Sequence, residues 1–347
     1  MRALTRAGRR TNLAILVVLA SALVSGVLAF AIGDEEVARA VVAAHGVAGL
    51  CLVVLTPWKA VIAQRGFRRP AQHRPGRSAS VALAVLAVIV VVTGMAHALG
   101  ATGPYLGVTS MQVHVGAALA ATVLAVLHVW RRRQRPRPAD VNRRSVLRAG
   151  AVLGGGLLAW SAVEATAAVA SLPGADRRAT GSHDRGTDEP SRMPVTQWLS
   201  DSVPDIDPAG YRLQMVAAGR NADVRLAGMD GANSVRAVLD CTGGWYAAQD
   251  WRGVWLDRLL ESAVGPLSRG RSVDVISVTG YRRRLPLADA PHLLLATHVA
   301  GQPLSAGHGA PLRLVAPGRR GFWWVKWVVR IDVVDAPWWL QPPFPGR

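Results

Sequence analysis

The chain has 347 residues, half of them hydrophobic, and a formal net charge of +18 at pH 7. This length favours about two domains. An excess of basic over acidic residues can indicate nucleic-acid binding. Most arginines of the first half, however, lie between long apolar runs, which is the pattern of membrane topology. We therefore exclude nucleic acid as a partner.

Four apolar runs in the first half are long enough to cross a bilayer, which takes about 20 residues, and a fifth run follows them. They cover 12–32, 37–63, 79–99, 108–130 and 149–172. The lipid bilayer is thus an expected partner, and the expected location is the cell membrane with several crossings. A cleaved signal peptide is the weaker interpretation of the first run, because no clear small-residue cleavage site precedes Asp34.

Charge alternates between the segments that connect these runs. Arginine-rich segments precede the first run, follow the second and follow the fourth, whereas the other two connections are acidic (residues 34–36) or neutral (GATGPYLG). Because basic connections stay in the cytoplasm, the N-terminus is predicted to be cytoplasmic. Five crossings then place everything after residue 172 outside the cytoplasm.

The fifth run is preceded by NRRSVLRAG, residues 142–150. This stretch resembles a twin-arginine export signal, which serves proteins that load a cofactor and fold before export. A stop-transfer cluster of basic residues is the alternative, and the sequence leaves both open.

Four histidines fall within the predicted spans, where an ionisable side chain usually marks function. They are His45, His97, His114 and His128. The predicted topology places the first three in the outer leaflet and His128 near the inner face. His114 and His128 are separated by about 21 Å along one helix, on nearly the same face.

This pattern resembles the four-helix membrane cytochromes of the b type, over roughly residues 10–135. The resemblance implies a heme b held by His45 and His114, with His97 beside it or competing as a ligand and His128 as a further metal-ligand candidate. The alternative is that these histidines only pack helices against one another.

Residues 173–194 are rich in proline, glycine, serine and charge, which predicts a flexible linker. From residue 195 onward, short alternating stretches separated by turn residues predict a mostly β, α+β domain. The predicted strands are YRLQMV, VRLAGM, SVRAVLD, SVDVISVTG, PLRLVAP and WVVRIDVV, and WLDRLLESA is a predicted short helix. The expected division is 1–135 for the four-helix transmembrane domain, 136–172 for the basic segment with a fifth helix, 173–194 for the linker and 195–347 for the last domain.

Cys241 ends an apolar stretch and stands directly before a glycine turn. A thiolate binds soft metals, and neighbouring glycines let backbone approach a large cofactor. The order of CTGGW, W-x-G-x-x-L-x-x-L-L, a G-Y turn, HGAPLRL and VKW resembles the molybdopterin-dependent oxidoreductases of the sulfite oxidase fold, in a short form, over residues 195–335.

The resemblance implies a molybdenum-molybdopterin cofactor, with Cys241 as the protein ligand of the metal and Tyr281 as a further catalytic residue. It also implies cofactor-binding roles for a second group, which comprises Gly243, Gly244, His298, His308, Arg313 and Lys326. The alternatives are a buried inert thiol at Cys241 and solvated strand residues at Arg313 and Lys326.

Together these features predict a membrane-bound molybdenum-dependent oxidoreductase that moves electrons between a membrane heme or quinone pool and an extracytoplasmic substrate. The substrate is expected to be a small molecule or an oxidised protein. Reduction of an S-oxide is preferred over oxidation of sulfite, because the domain is short and a membrane heme is expected. The combination of the two parts resembles the bacterial pair of a heme membrane subunit and a periplasmic enzyme that reduces methionine sulfoxide. In addition, Trp323 stands where longer sulfite oxidases have a lysine.

Two other classes stay open. The first is a membrane-anchored binding or structural protein with a degenerate molybdopterin-fold domain. The second, transmembrane ferric reduction, ranks low because no G-x-G-x-x-G motif follows a predicted strand.

Overall fold

A computed structural model describes residues 8–67, 77–131, 137–198, 201–217, 219–229, 233–266 and 270–343. The chain divides into two compact units, Met1–His183 and Asp184–Arg347. The first unit is helical and the second contains two β-sheets with one short α-helix. This confirms the predicted fold class, a bundle of apolar helices followed by a mostly β, α+β domain.

In its described residues the first unit contains five α-helices, each with the length and hydropathy of a membrane span. They are α1 (Arg9–Ala31), α2 (Glu35–Phe67), α3 (Arg77–Ala98), α4 (Ser110–Arg131) and α5 (Arg143–Val169). Helix α1 packs on α2, α3 packs on α4, and α5 packs on α2. The five apolar runs of the sequence therefore all form helices.

Polar contacts gather three basic segments at one end of this unit. Arg9 Nη2 lies 2.8 Å from Asp140 Oδ2, and Lys59 Nζ donates to Asn12 Oδ1 at 3.2 Å. The start of α1, the second half of α2 and the segment before α5 are thus close together. Their grouping agrees with the charge alternation in the sequence, which assigns these segments to one side.

The paired arginines 143 and 144 form the first turn of α5. Asn142 caps this helix, because its side chain accepts from Ser145 N at 3.0 Å while its own N–H donates to Ser145 Oγ at 2.8 Å. Cations at a helix N-terminus oppose the helix dipole. Helix stability therefore does not explain the arginine pair, and the export-signal and stop-transfer interpretations both stay predictions.

Small residues bring α2 and α5 into close contact. Cys51 is fully buried, and its Sγ donates to Val152 O at 3.4 Å. A Cβ on Gly156 would lie 2.4 Å from that sulfur, so only glycine fits there. Cys51 is thus a small packing residue.

Residues 173–183 differ from the predicted flexible linker, because they fold against the helical unit. Arg177 pairs with Glu164 and its guanidinium lies 5.7 Å from the Trp160 ring. Gly174 packs so closely on Ala98 that a Cβ would lie 2.1 Å from its carbonyl oxygen. Gly174, which suggests flexibility in the sequence, instead allows the chain to approach Ala98 closely, and Arg177 forms an ion pair with Glu164.

The second unit contains the strands, except that β1 (His183–Asp184) begins one residue before it. The others are β2 (Arg212–Ala217), β3 (Arg220–Arg225), β4 (Asn233–Cys241), β5 (Trp245–Trp255), β6 (Ser272–Ser277), β7 (Arg282–Pro286), β8 (Leu294–Val299), β9 (Gln302–Pro303), β10 (Arg313–Val315) and β11 (Val328–Val334), and helix α6 covers Leu256–Val264.

The strands form two sheets. In the first, β5, β8 and β10 are neighbours in that order, β4 pairs with β5, β9 pairs with β8, and the short β1 is the sixth member. The second has the order β3-β2-β11-β6-β7, in which only the β2–β11 pair is parallel. Leucine, valine and methionine side chains from both sheets and from α6 share one buried core. Burial of apolar surface on this scale is the main stabilising term for such a domain.

Most predicted strands are confirmed, but one predicted strand is only partly formed, and several observed strands were not predicted, among them β5, β7 and β8. The stretch VRLAGM leaves β3 at Arg225 and continues as a 3-10 turn over Leu226–Met229. The sequence analysis did not predict β5, although its side chains alternate between buried and more exposed along most of its length.

Candidate active site

Cys241 is the last residue of β4 and faces Trp245 of β5 across a tight hairpin. The turn places Gly244 at a φ of +87°, a left-handed conformation that favours glycine. Gly243 N donates to Cys241 Sγ at 3.3 Å. The thiol is therefore half-buried at a hairpin turn with backbone beside its sulfur.

A buried ion pair fixes the backbone at Cys241. Arg320 Nη1 lies 2.5 Å from Asp240 Oδ1, and both residues are buried. Arg320 Nη2 also donates to Cys241 O at 3.5 Å. A Cβ on Gly321 would lie 3.1 Å from Cys241 Cα, so the glycine lets the two segments approach.

Arg313 at the start of β10 is a buried cation, only 2% exposed. Its Nη1 donates to His308 O at 2.9 Å, and its guanidinium lies 5.4 Å from the Trp251 ring. Among the described residues no carboxylate pairs with it, and its Nε is buried without a hydrogen-bond partner. Buried charges are normally paired, so an unpaired one points to an anionic ligand.

Lys326 is the second cation of the site. Its Nζ donates to Thr196 O and to Gly307 O, each at 2.7 Å. Gly309 lies between the two cations at a φ of +110°, where a Cβ would come within 3.2 Å of Lys326 Cβ and 3.3 Å of Arg313 Cβ. The HGAPLR and VKW motifs thus meet at this glycine.

Burial dominates the electrostatics of the two cations. Burial, aided by the charge of Arg313, lowers the pKa of Lys326 to about 7, while Cys241 acts in the opposite direction. Burial also lowers the pKa of Arg313. A bound anion would favour the charged forms of both groups. A phosphate-bearing, dithiolene-bearing cofactor supplies such anionic groups, so the residues present fit it.

His308 uses its side chain within the protein. Its Nδ1 lies 2.8 Å from Ser305 Oγ and its Nε2 lies 3.2 Å from Met193 O. Burial and the nearby cations Arg313 and Lys326 lower its pKa to about 4, so the ring is neutral. The structure shows His308 holding neighbouring segments, and direct cofactor contact by its ring stays a prediction.

The lowered pKa of His308 predicts a pH dependence of stability. Between pH 6.5 and pH 4 the folded state binds fewer protons at this ring than the unfolded state, so the free energy of unfolding falls as the pH is lowered through that window. Between pH 7 and pH 4 we expect the free energy of unfolding to fall by on the order of 2 kcal/mol less in H308Q than in the wild type. Tryptophan fluorescence during urea unfolding of the detergent-solubilised chain at pH 7 and pH 4 measures it; an equal pH effect in both proteins would contradict the assignment.

Tyr281 follows β6 and lies beside the cysteine site. Its hydroxyl donates to Phe322 O, and its ring centroid lies 6.2 Å from that of Trp198. Burial raises its pKa, and the charges of Cys241 and Arg313 also act on it. Tyr281 is therefore protonated at neutral pH and can donate a hydrogen bond.

The predicted cofactor-binding role of His298 stays a prediction, and Thr196 is an addition to the site. The ring of His298 on β8 lies 2.8 Å from Thr297 Oγ1, and no hydrogen bond or ring contact among the described residues connects it with Cys241. Thr196 was not predicted, yet its Oγ1 lies 3.6 Å from Cys241 Sγ. No local motif marks it, since it precedes the cysteine by 45 residues.

In the helical unit, the structure brings His45 and His114 together. Their ring centroids lie 5.9 Å apart with nearly perpendicular planes. The Nδ1 of His45 lies 3.0 Å from Ala22 O, and the Nδ1 of His114 lies 2.8 Å from Val90 O. These bonds orient both rings, and among the described residues no hydrogen bond is made by either Nε2.

Such an arrangement is typical of histidines that bind a metal, whose second nitrogen is held by a carbonyl or carboxylate. Two imidazoles that bind one metal at about 2 Å from each nitrogen have centroids about 6 Å apart. Gly26 and Gly94 flank the two rings, and a Cβ there would come within 3.1 Å of His45 Cε1 and 3.0 Å of His114 Cε1. The pair therefore fits axial ligation of a heme.

His97 and His128 are placed differently. His97 Nε2 donates to Gly181 O at 3.0 Å, and its ring centroid lies 4.8 Å from that of His183, which donates to His97 O. These bonds hold residues 181–183 on the end of α3. His128 lies on α4 about 21 Å along the axis from His114. Metal binding by either residue stays a prediction.

Comparison with known proteins concerns the second unit. Residues 200–339 match the family model described as the oxidoreductase molybdopterin binding domain. The chain is 34% identical over 114 residues to the protein-methionine-sulfoxide reductase catalytic subunit MsrP of Xanthomonas campestris, covering 28% of this chain and 35% of that protein. It is 30% identical over 179 residues to the mitochondrial sulfite oxidase of Drosophila melanogaster, covering 42% of this chain and 31% of that protein.

Among solved structures, the sulfane dehydrogenase SoxCD of Paracoccus pantotrophus is similar over 39% of this chain and 40% of that chain, at 23% identity and a TM-score of 0.36. The chain spans about a third of the length of the curated relatives it matches. The match to the family model and the cysteine site lie in the same part of the chain. The C-terminal part of this protein is therefore an oxidoreductase molybdopterin-binding domain of the family that includes sulfite oxidases and the catalytic subunit of methionine-sulfoxide reductase.

Proposed function

We propose that the protein is a membrane-bound molybdenum oxidoreductase that reduces an S-oxide outside the cytoplasm with electrons taken from the quinone pool through a heme b. The observation that carries the proposal is the presence, in one chain, of two sites prepared for redox cofactors. One is the half-buried thiol of Cys241 beside the unpaired cations Arg313 and Lys326. The other is the oriented pair His45 and His114.

Each residue has a definite task in this proposal. Cys241 would hold molybdenum through its thiolate, and Arg313 and Lys326 would compensate the negative charge of the pterin. Molybdenum held in this way supplies two-electron transfer of an oxygen atom. Tyr281 donates its single hydroxyl proton to Phe322 O, so a catalytic role for it would require the hydroxyl to leave that carbonyl and turn toward the substrate oxygen.

Reduction of an S-oxide consumes two electrons and two protons and yields a sulfide and water. His45 and His114 would hold a heme, which supplies one-electron transfer. The five apolar helices support a membrane location, and the basic connections support an extracytoplasmic C-terminal domain. The substrate would be a free or protein-bound sulfoxide, in keeping with the name of the Xanthomonas relative.

Sulfite oxidation is the second candidate, supported by the 30% identity to mitochondrial sulfite oxidases. It would reverse the direction of electron flow. A binding protein with a degenerate domain is less well supported, because such a protein has no need for the buried Arg313 and the half-buried Lys326 beside a thiol, where neither has a carboxylate partner among the described residues.

One experiment separates these candidates. The heme of the detergent-purified full chain is reduced with a short-chain quinol analogue, and methionine sulfoxide is then added while the heme α-band is followed. We expect reoxidation of the heme in the wild type and none in C241S. Reduction of the oxidised heme by sulfite would favour the second candidate, and a heme that responds to neither compound would contradict both.

A further inference from the structure

A short segment before the second unit's first long strand passes beside the cysteine site. We call residues 193–198 the strap. His308 Nε2 lies 3.2 Å from Met193 O, and Lys326 Nζ donates to Thr196 O at 2.7 Å. Both fastening side chains belong to the predicted cofactor-binding motifs. The motifs therefore hold the strap in place as well as supplying charge to the site.

The middle of the strap contacts Gly307, although the Val195 side chain is 47% exposed. A Cβ on Gly307 would lie 2.7 Å from Val195 Cγ1 and 2.8 Å from its Cγ2, so the valine rests directly on that glycine. The backbone of the adjoining Thr196 is held at its carbonyl oxygen, which accepts from Lys326 Nζ. Its hydroxyl is directed by a fixed backbone rather than by a mobile loop.

Thr196 Oγ1 lies 3.6 Å from Cys241 Sγ, within hydrogen-bond range for sulfur. Gly243 N donates to the same sulfur at 3.3 Å. A thiolate bound to a metal carries no proton and can only accept. In the loaded protein the Thr196 hydroxyl must therefore be the donor, and the sulfur receives two hydrogen bonds from opposite parts of the chain.

Hydrogen bonds to a ligating sulfur draw electron density away from it and tune the potential of the metal. Weaker donation by the sulfur favours the more reduced metal. The backbone donor at Gly243 cannot be changed by substituting its side chain, but the hydroxyl can be removed. Thr196 is thus the one of these two donors that a side-chain substitution can test.

We propose that Thr196 is a positioning residue whose hydroxyl hydrogen-bonds to the Cys241 sulfur and thereby raises the reduction potential of the molybdenum bound there. This proposal rests on the proposed function, since it requires molybdenum at Cys241. It assigns to the strap a role in setting how readily electrons reach the substrate.

The test compares T196V, which keeps the shape but lacks the hydroxyl, with T196S, which keeps the hydroxyl. T187V is the matched control, because Thr187 Oγ1 accepts from Ala248 N at 3.1 Å, and in the described part of the chain it makes no hydrogen bond to the cysteine sulfur. Each full-length protein is purified in detergent, its molybdenum content is measured, and the Mo(V) signal is followed by electron paramagnetic resonance during a redox titration.

We expect the Mo(VI)/Mo(V) midpoint potential to shift to more negative values in T196V and to stay at the wild-type value in T196S and T187V. If T196V loads no molybdenum, T196A takes its place; loss of metal from both with retention in T196S would also support a hydroxyl bond at the ligand sulfur. An unchanged potential in T196V, or the same shift in T196S, would overturn the proposal. A wild-type protein without a Mo(V) signal would instead overturn the proposed function.

Discussion

Replacing Cys241 with serine is expected to abolish turnover and molybdenum binding while leaving the heme spectrum intact. The thiolate is the only sulfur donor that the described residues of the second unit place at a turn beside unpaired cations. Loss of a residue that merely supports a metal ligand costs up to about 100-fold in affinity or activity, so loss of the ligand itself should cost more. The measurement is quinol-dependent reduction of methionine sulfoxide together with elemental analysis of the purified chain.

The matched control for this prediction is C51A. Cys51 is fully buried between α2 and α5, and alanine is smaller and apolar. This variant should keep both its molybdenum and its activity. Wild-type turnover in C241S, or a loss of molybdenum in C51A equal to that in C241S, would show that Cys241 is not the metal ligand.

Replacing either His45 or His114 with alanine is expected to lower the heme content per chain by at least about 10-fold. Each Nδ1 is held by a backbone carbonyl, which directs the two rings toward one another. Removal of one ring would leave the proposed heme with a single histidine ligand. Molybdenum content should not change, because Cys241 belongs to the other unit.

H97A is the control for the heme assignment. His97 Nε2 is engaged with Gly181 O, and the structure gives it a role in holding residues 181–183. This variant should keep its reduced-minus-oxidised spectrum. A normal spectrum in H45A and H114A with a lost one in H97A would transfer the ligand role to His97.

The fold was largely predictable because its signals are periodic. Long apolar runs separated by basic segments predict spans, and β-branched alternation predicts strands such as β6 and β11. Strand β5 escaped because WYAAQDWRGVW mixes aromatic, acidic and glycine residues, and its alternation is visible only as burial in the sheet. The packing of residues 173–183 on the helical unit was not predicted, because their glycines and arginines contact residues that are distant in the sequence, such as Ala98 and Glu164.

The candidate sites were predictable where a motif carries them. Cys241, Arg313 and Lys326 come from motifs in one order along the chain, and the structure brings their charges within mutual influence. Thr196 could not be predicted, since its proximity to the cysteine depends on the strap that Lys326 fastens. The internal role of the His308 ring also depends on tertiary contacts, here Ser305 and Met193.

The most direct test of the central claim is the cofactor content of the detergent-purified full chain, measured by elemental analysis and a reduced-minus-oxidised spectrum. Two redox sites in one polypeptide predict about one molybdenum and one heme b per chain. Heme without molybdenum would contradict the assignment of Cys241 as a metal ligand and make the C-terminal unit a degenerate domain. Molybdenum without heme would contradict the assignment of His45 and His114 and, with it, the route of electrons from the membrane.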